Sequence, residues 1–190
     1  MAGAAHTSTS VGLTLDVISR TVPPAVGLGS AQYADADAHG STTKVEGVMH
    51  VDTSTVALAM TCTVDRENVW AALTERDRLS RWFGELAMAP DDARQADITV
   101  SGTGEEVSVR ILACEPDCRL SLEWTVDDEV STVTVVLGDA EGGTAVILQE
   151  DGVPEQLTDA YRRGWGAHLR RLDAELSGQS MPEWTELAQE

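Results

Sequence analysis

The sequence predicts a single α+β domain in which a curved antiparallel sheet packs against one long C-terminal helix. Apolar residues recur with period two in several short stretches after residue 49. Turn-forming residues separate these stretches, as in a meander. An apolar stripe at helical spacing runs through residues 157–176.

Val56, Leu58, Met60, Cys62 and Val64 alternate with small polar or alanine positions, which predicts a first strand. Asp65 can then cap a helix carrying Val69, Trp70 and Leu73, because its carboxylate accepts from free backbone N–H groups. Asp77 offers a second cap before Leu79, Trp82 and Phe83, and Gly84 is placed to end that short helix. Period two returns at Val107, Val109 and Ile111. It continues at Leu120, Leu122, Trp124 and Val126, at Val133, Val135 and Leu137, and at Val146 and Leu148. The intervening turns are Ser101–Gly104, Glu115–Asp117, Asp127–Glu129 and Glu141–Gly143. Pro154 suits the first turn of the closing helix. Leu157, Tyr161, Trp165, Leu169, Leu172 and Leu176 form its stripe, with Arg170 and Arg171 late, where the helix dipole favours cations.

A chain of 190 residues fits one main domain, and 42% hydrophobic with 24% charged residues is ordinary globular usage. The formal net charge is −19, which argues against a nucleic-acid backbone or an anionic membrane surface as partner. No apolar run is long enough to predict a membrane span. Residues 1–48 are rich in Ala, Gly, Ser and Thr, with Tyr33 their only aromatic, and are expected to form a disordered extension. Met49 is an alternative start. Residues 49–177 read as the domain and 178–190 as a polar tail. No Lys or Arg precedes Arg20, so no secretory signal is expected. With three cysteines, this points to the cytoplasm.

Asn68-Val69-Trp70-Ala71-Ala72-Leu73-Thr74 followed by Leu79-Ser80-Arg81-Trp82-Phe83-Gly84 resembles the opening of the SRPBCC (START-like) superfamily. More narrowly, it resembles the bacterial branch related to the C-terminal domain of the activator of heat-shock-protein-90 ATPase. Arg119–Trp124 is similar to that family's mid-sheet strand, and Gly143-Thr144 with Val146, Leu148 and Asp151–Pro154 to its last strand. Gly164-Trp165 with Leu169 and Leu172 is similar to its closing helix. The resemblance covers about residues 56–177. It implies a helix-grip fold and, since relatives carry ligands, catalyse or stimulate a chaperone, no single function. The chaperone activator also uses a larger N-terminal domain, for which residues 1–48 are too short.

A sheet curled round a helix encloses space of the kind small ligands occupy. Trp82, Trp124, Tyr161 and His168 are the candidate lining residues for a small hydrophobic ligand. Trp70 and Trp165 read as core packing. Trp82 reads equally as core or as the mouth of the fold. His168 reads first as a flank residue with a partly solvated ring, and alternatively as an acid or base near neutral pH. Cys114 and Cys118 read as buried or half-buried strand-end residues, with a local disulfide as the alternative. No histidines lie at metal-ligand spacing and no cofactor motif occurs. Ser101–Gly104 lacks the helix and lysine of a phosphate loop. The sequence thus favours a non-catalytic binder. A chaperone-activator-like interaction module of the stress response comes second, its acidic surface steering a protein partner. A cyclase or hydrolase using His168 comes third.

Overall fold

The structure, a computed structural model, describes residues 53–88 and 92–187. The expected N-terminal extension lies outside the described residues. Among the described residues, seven strands form one antiparallel sheet: β1 (Thr53–Cys62), β2 (Gly84–Met88), β3 (Gln95–Val100), β4 (Glu106–Glu115), β5 (Arg119–Val126), β6 (Glu129–Ala140) and β7 (Gly143–Pro154). Their order is β1-β7-β6-β5-β4-β3-β2, so β2 to β7 are a meander and β1 closes against its last strand. Helices α1 (Arg66–Thr74) and α2 (Arg76–Trp82) connect the two edge strands. The long helix α3 (Thr158–Ser177) packs over β1 and meets both short helices, and α4 (Trp184–Leu187) follows it. This is the α+β helix-grip arrangement, with the core between the concave sheet face and α3.

The period-two residues within the strands lie on that concave face, while Val64 falls beyond the end of β1 at Cys62. Val107 and Val109, Val133, Val135 and Leu137, and Val146 and Leu148 are buried there with Leu172 of α3. Each such burial contributes about 2 kcal/mol. Asp65 caps α1 as expected, accepting from the Asn68 N–H at 2.9 Å.

Several local expectations are corrected. The second helix starts at Arg76, because the extended Glu75 breaks the chain; Asp77 lies inside the first turn and does not cap it. Gly84 does not cap α2 but opens β2, where a Cβ would stand 2.4 Å from the Thr99 carbonyl oxygen. Close backbone approach is what needs glycine there. Strands β2 and β3 add to the expected meander, and Ala96, Ile98 and Val100 of β3 do alternate and are buried. Pro154 ends β7 and precedes a 3-10 turn at Glu155–Leu157, so Leu157 is exposed and off the stripe. Gly152, at φ 92°, is the bulge where β7 slips register against β1. The bulge shifts the chain's phase and turns Val153 and Pro154 inward ahead of α3.

Residues 178–187 return against the domain. Arg171, buried in mid-helix, donates to the carbonyls of Trp82 at 3.0 Å, Pro182 at 2.7 Å and Arg81 at 3.3 Å. Its guanidinium also lies 4.7 Å from the Trp184 ring. Arg171 thus holds the returning chain instead of answering the helix dipole. Arg78 of α2 grips Glu175 of α3 with two bonds, at 3.0 and 2.7 Å.

Candidate functional site

Beneath the N-terminal half of α3 lies a cleft of about 230 Å³. Its aromatic wall is Phe83, Trp124, Tyr161 and Trp165, and Glu105, Glu150 and His168 also line it. The rings support one another. Trp124 and Trp165 have centroids 5.4 Å apart, and Phe83 lies 5.8 Å from Trp124 and 5.9 Å from Trp165. A narrow apolar space of about 80 Å³ adjoins the cleft and shares Phe83, Trp124 and Trp165 with it as lining residues. That space in turn shares Leu73, Leu79, Ile98, Leu120 and Leu122 with a larger apolar cavity of about 360 Å³ beneath α1 and α2.

Glu150 is a cleft residue that the sequence reading did not single out. It is 0% exposed. Trp165 Nε1 donates to its Oε2 at 2.5 Å, and the Ser131 hydroxyl donates to its Oε1 at 2.6 Å. Burial pushes its pKa up, while those two donors pull it down. The signal was in the sequence. Glu150 continues the inward series Val146, Leu148, so a carboxylate occupies an apolar phase of β7. Ser131 faces inward from β6, beside the pair of Val133 and Glu150.

Of the four candidate lining residues, Trp124, Tyr161 and His168 meet in this cleft. Trp82 does not. It points into the narrow inner space, and its indole N–H donates to the Ala72 carbonyl at 2.9 Å, tying α2 to α1. His168 is not partly solvated: it is 8% exposed, in ring contact with Phe83 at 4.5 Å and Trp184 at 4.9 Å. Burial and the adjacent Arg171 lower its pKa to about 4, so the imidazole is neutral at pH 7. Its Nδ1 is buried without a hydrogen-bond partner. Tyr161 is half-buried and its ionisation is opposed first by burial, then by Glu150, Glu105, Glu129 and Asp127. Trp165 is both core and cleft wall. Cys114 is half-buried, Cys118 exposed, and both are free thiols.

No group of three or more His, Cys, Asp or Glu side chains among the described residues is arranged to hold a metal ion. No described helix is long and apolar enough to cross a membrane. The geometry is that of a small, mainly apolar cleft with Thr103, Glu105, Glu150, Tyr161 and His168 as the polar side chains of its wall, in a protein of the SRPBCC class.

The family described as activator of Hsp90 ATPase homolog 1-like protein matches residues 63–177, and the chain belongs to that family. Among solved structures, CalU16 from Micromonospora echinospora is similar, with 27% identity and a TM-score of 0.57 over 71% of this chain and 81% of that one. DynU16, described as a protein of the dynemicin biosynthetic locus, has 21% identity and a TM-score of 0.60 over 68% and 49% of the two chains. The Aha1 dimer from Colwellia psychrerythraea shares the fold at 14% identity, with a TM-score of 0.56 over 65% and 96%. No curated protein matches the sequence.

Proposed function

We propose that this chain is a non-catalytic, cytoplasmic binder of a small hydrophobic molecule, held between the sheet and α3. The observation that carries the reading is the aromatic cleft of about 230 Å³, with a further apolar space of about 80 Å³ on the inner side of the rings they share. Concave, mostly apolar sites with a few polar groups are where small ligands bind. Tyr161, His168 and Trp124 would contact the ligand, while Trp82 would shape the inner end. Native mass spectrometry of the full chain, purified gently from its host together with a solvent extract, tests it. A stoichiometric extra mass recovered in the extract is expected. A clean apo mass that persists after incubation in host extract would count against the reading. Trp124→Ala should lower affinity by more than it lowers stability.

A second reading, favoured by the family match, is a protein-interaction module in which the net charge of −19 steers a basic partner. Pull-down from host lysate at low salt would recover a chaperone if it holds.

A further inference from the structure

We infer that the cleft under α3 selects an organic cation, an ammonium group on a small apolar body, over neutral or anionic molecules of the same shape. The inference rests on the cleft being a binding site and adds the chemistry of its ligand.

Two independent features converge there. The first is the aromatic wall, since Phe83, Trp124, Tyr161 and Trp165 all line the space. A ring face attracts a cation through its quadrupole, and the attraction grows as water is excluded. The second is the sign of the charge. Glu105 and Glu150 line the cleft, and no Lys or Arg does among the described residues. Asp127 and Glu129, at the β5–β6 turn, act on Tyr161 together with those two carboxylates. Arg171 bears on His168, but its donors are turned to the carbonyls of Arg81, Trp82 and Pro182.

The two carboxylates play different parts. Glu150 has no water-accessible surface, so it acts through the low-dielectric wall and not by direct contact. Ser131 and Trp165 hold it as an acceptor. Glu105 is exposed, on the loop before β4, and can meet a cation at the mouth. A carboxylate or phosphate ligand would face the acidic side chains of Glu105 and Glu150 with no Lys or Arg among the lining residues to offset them. Neutral His168 adds no positive charge to the cleft.

The test is an NMR titration of the full chain at pH 8, following its five tryptophan indole N–H signals. The probes are N,N,N-trimethylanilinium, its neutral isostere tert-butylbenzene, and benzoate. The cation is expected to bind ~10-fold or more tightly than the isostere, with benzoate weakest, and to shift the Trp124 and Trp165 signals. Glu150→Gln should reduce the preference for the cation, read as the ratio of trimethylanilinium to tert-butylbenzene affinity in the same variant. Glu105→Gln, on an exposed loop, should do so less strongly and carries no risk to folding. Equal or tighter binding of tert-butylbenzene would overturn the cation inference and leave the cleft a binding site. Full retention of the preference in both folded variants would overturn it in the same way. If no probe moves an indole signal, the binding reading and the cation inference fall together.

Discussion

The indole N–H of Trp165 on α3 donates to the carboxylate of Glu150 on β7, joining the long helix to the sheet through a side chain with no solvent exposure. Trp165→Phe keeps the ring and removes the donor. A hydrogen bond to a buried charge is worth about 1.5–3 kcal/mol, so stability at pH 7 should fall by roughly 2 kcal/mol in urea unfolding. The loss should shrink in acid, where a protonated Glu150 no longer needs a second donor. A loss that is constant with pH would show that the bond does not serve the carboxylate.

His168 makes the domain acid-sensitive. Its folded pKa of about 4 lies below the ordinary 6.5, so the unfolded chain binds the proton more readily between those values. Stability from this group is complete above pH 6.5 and is lost as pH falls toward 4, about 3 kcal/mol in all. Glu150 runs the opposite way, its raised pKa lowering stability as pH rises above 4.5. The difference in stability between wild type and His168→Phe therefore isolates the histidine. That difference should favour wild type least at pH 4.

Arg171 ties three carbonyls and the Trp184 ring together, and lysine cannot reproduce that planar fan of donors. Arg171→Lys should cost roughly 2 kcal/mol. It should also raise amide hydrogen exchange in residues 179–187 before the rest of the domain. Uniform loss of protection would mean that the C-terminal segment is not held separately.

The pair of Arg78 and Glu175 links α2 to α3 with the Glu175 side chain only 6% exposed. Arg81 reaches the same carboxylate at 3.6 Å but is itself exposed. Arg78→Met should destabilise by about 3 kcal/mol, because a buried carboxylate loses its bidentate partner. The double variant Arg78→Met with Glu175→Leu should recover much of that loss in thermal unfolding.

Gly84→Ala should destabilise by about 2 kcal/mol or more, since its new methyl meets the Thr99 carbonyl of the paired strand. Gly164→Ala, a helical site with nothing within 4 Å of the new methyl, should be neutral or stabilising.

The strand meander and the closing helix were legible because their signals are local. Period-two apolar residues can bury one face only as a strand, and Trp165, Leu169 and Leu172 share a face only on a helix. Edge strand β2 was not legible, for its five residues are too few to establish a period. The site was legible in part. Trp124, Tyr161 and His168 lie on inward phases of their elements, and the cleft brings them together. Trp82 shares such a phase, yet its own helix turns it toward Ala72 and the inner space.

By itself the sequence determined the element types, most of their order and the inward faces, since these depend on spacing along the chain. Only the tertiary structure decided which charges those faces enclose. Glu150 is tolerated inside because Ser131 of β6 and Trp165 of α3 arrive with donors, and Arg171 because three carbonyls and Trp184 meet it. Burying a charge is costly without such partners, and these come from segments up to 90 residues away. No local pattern specifies that meeting.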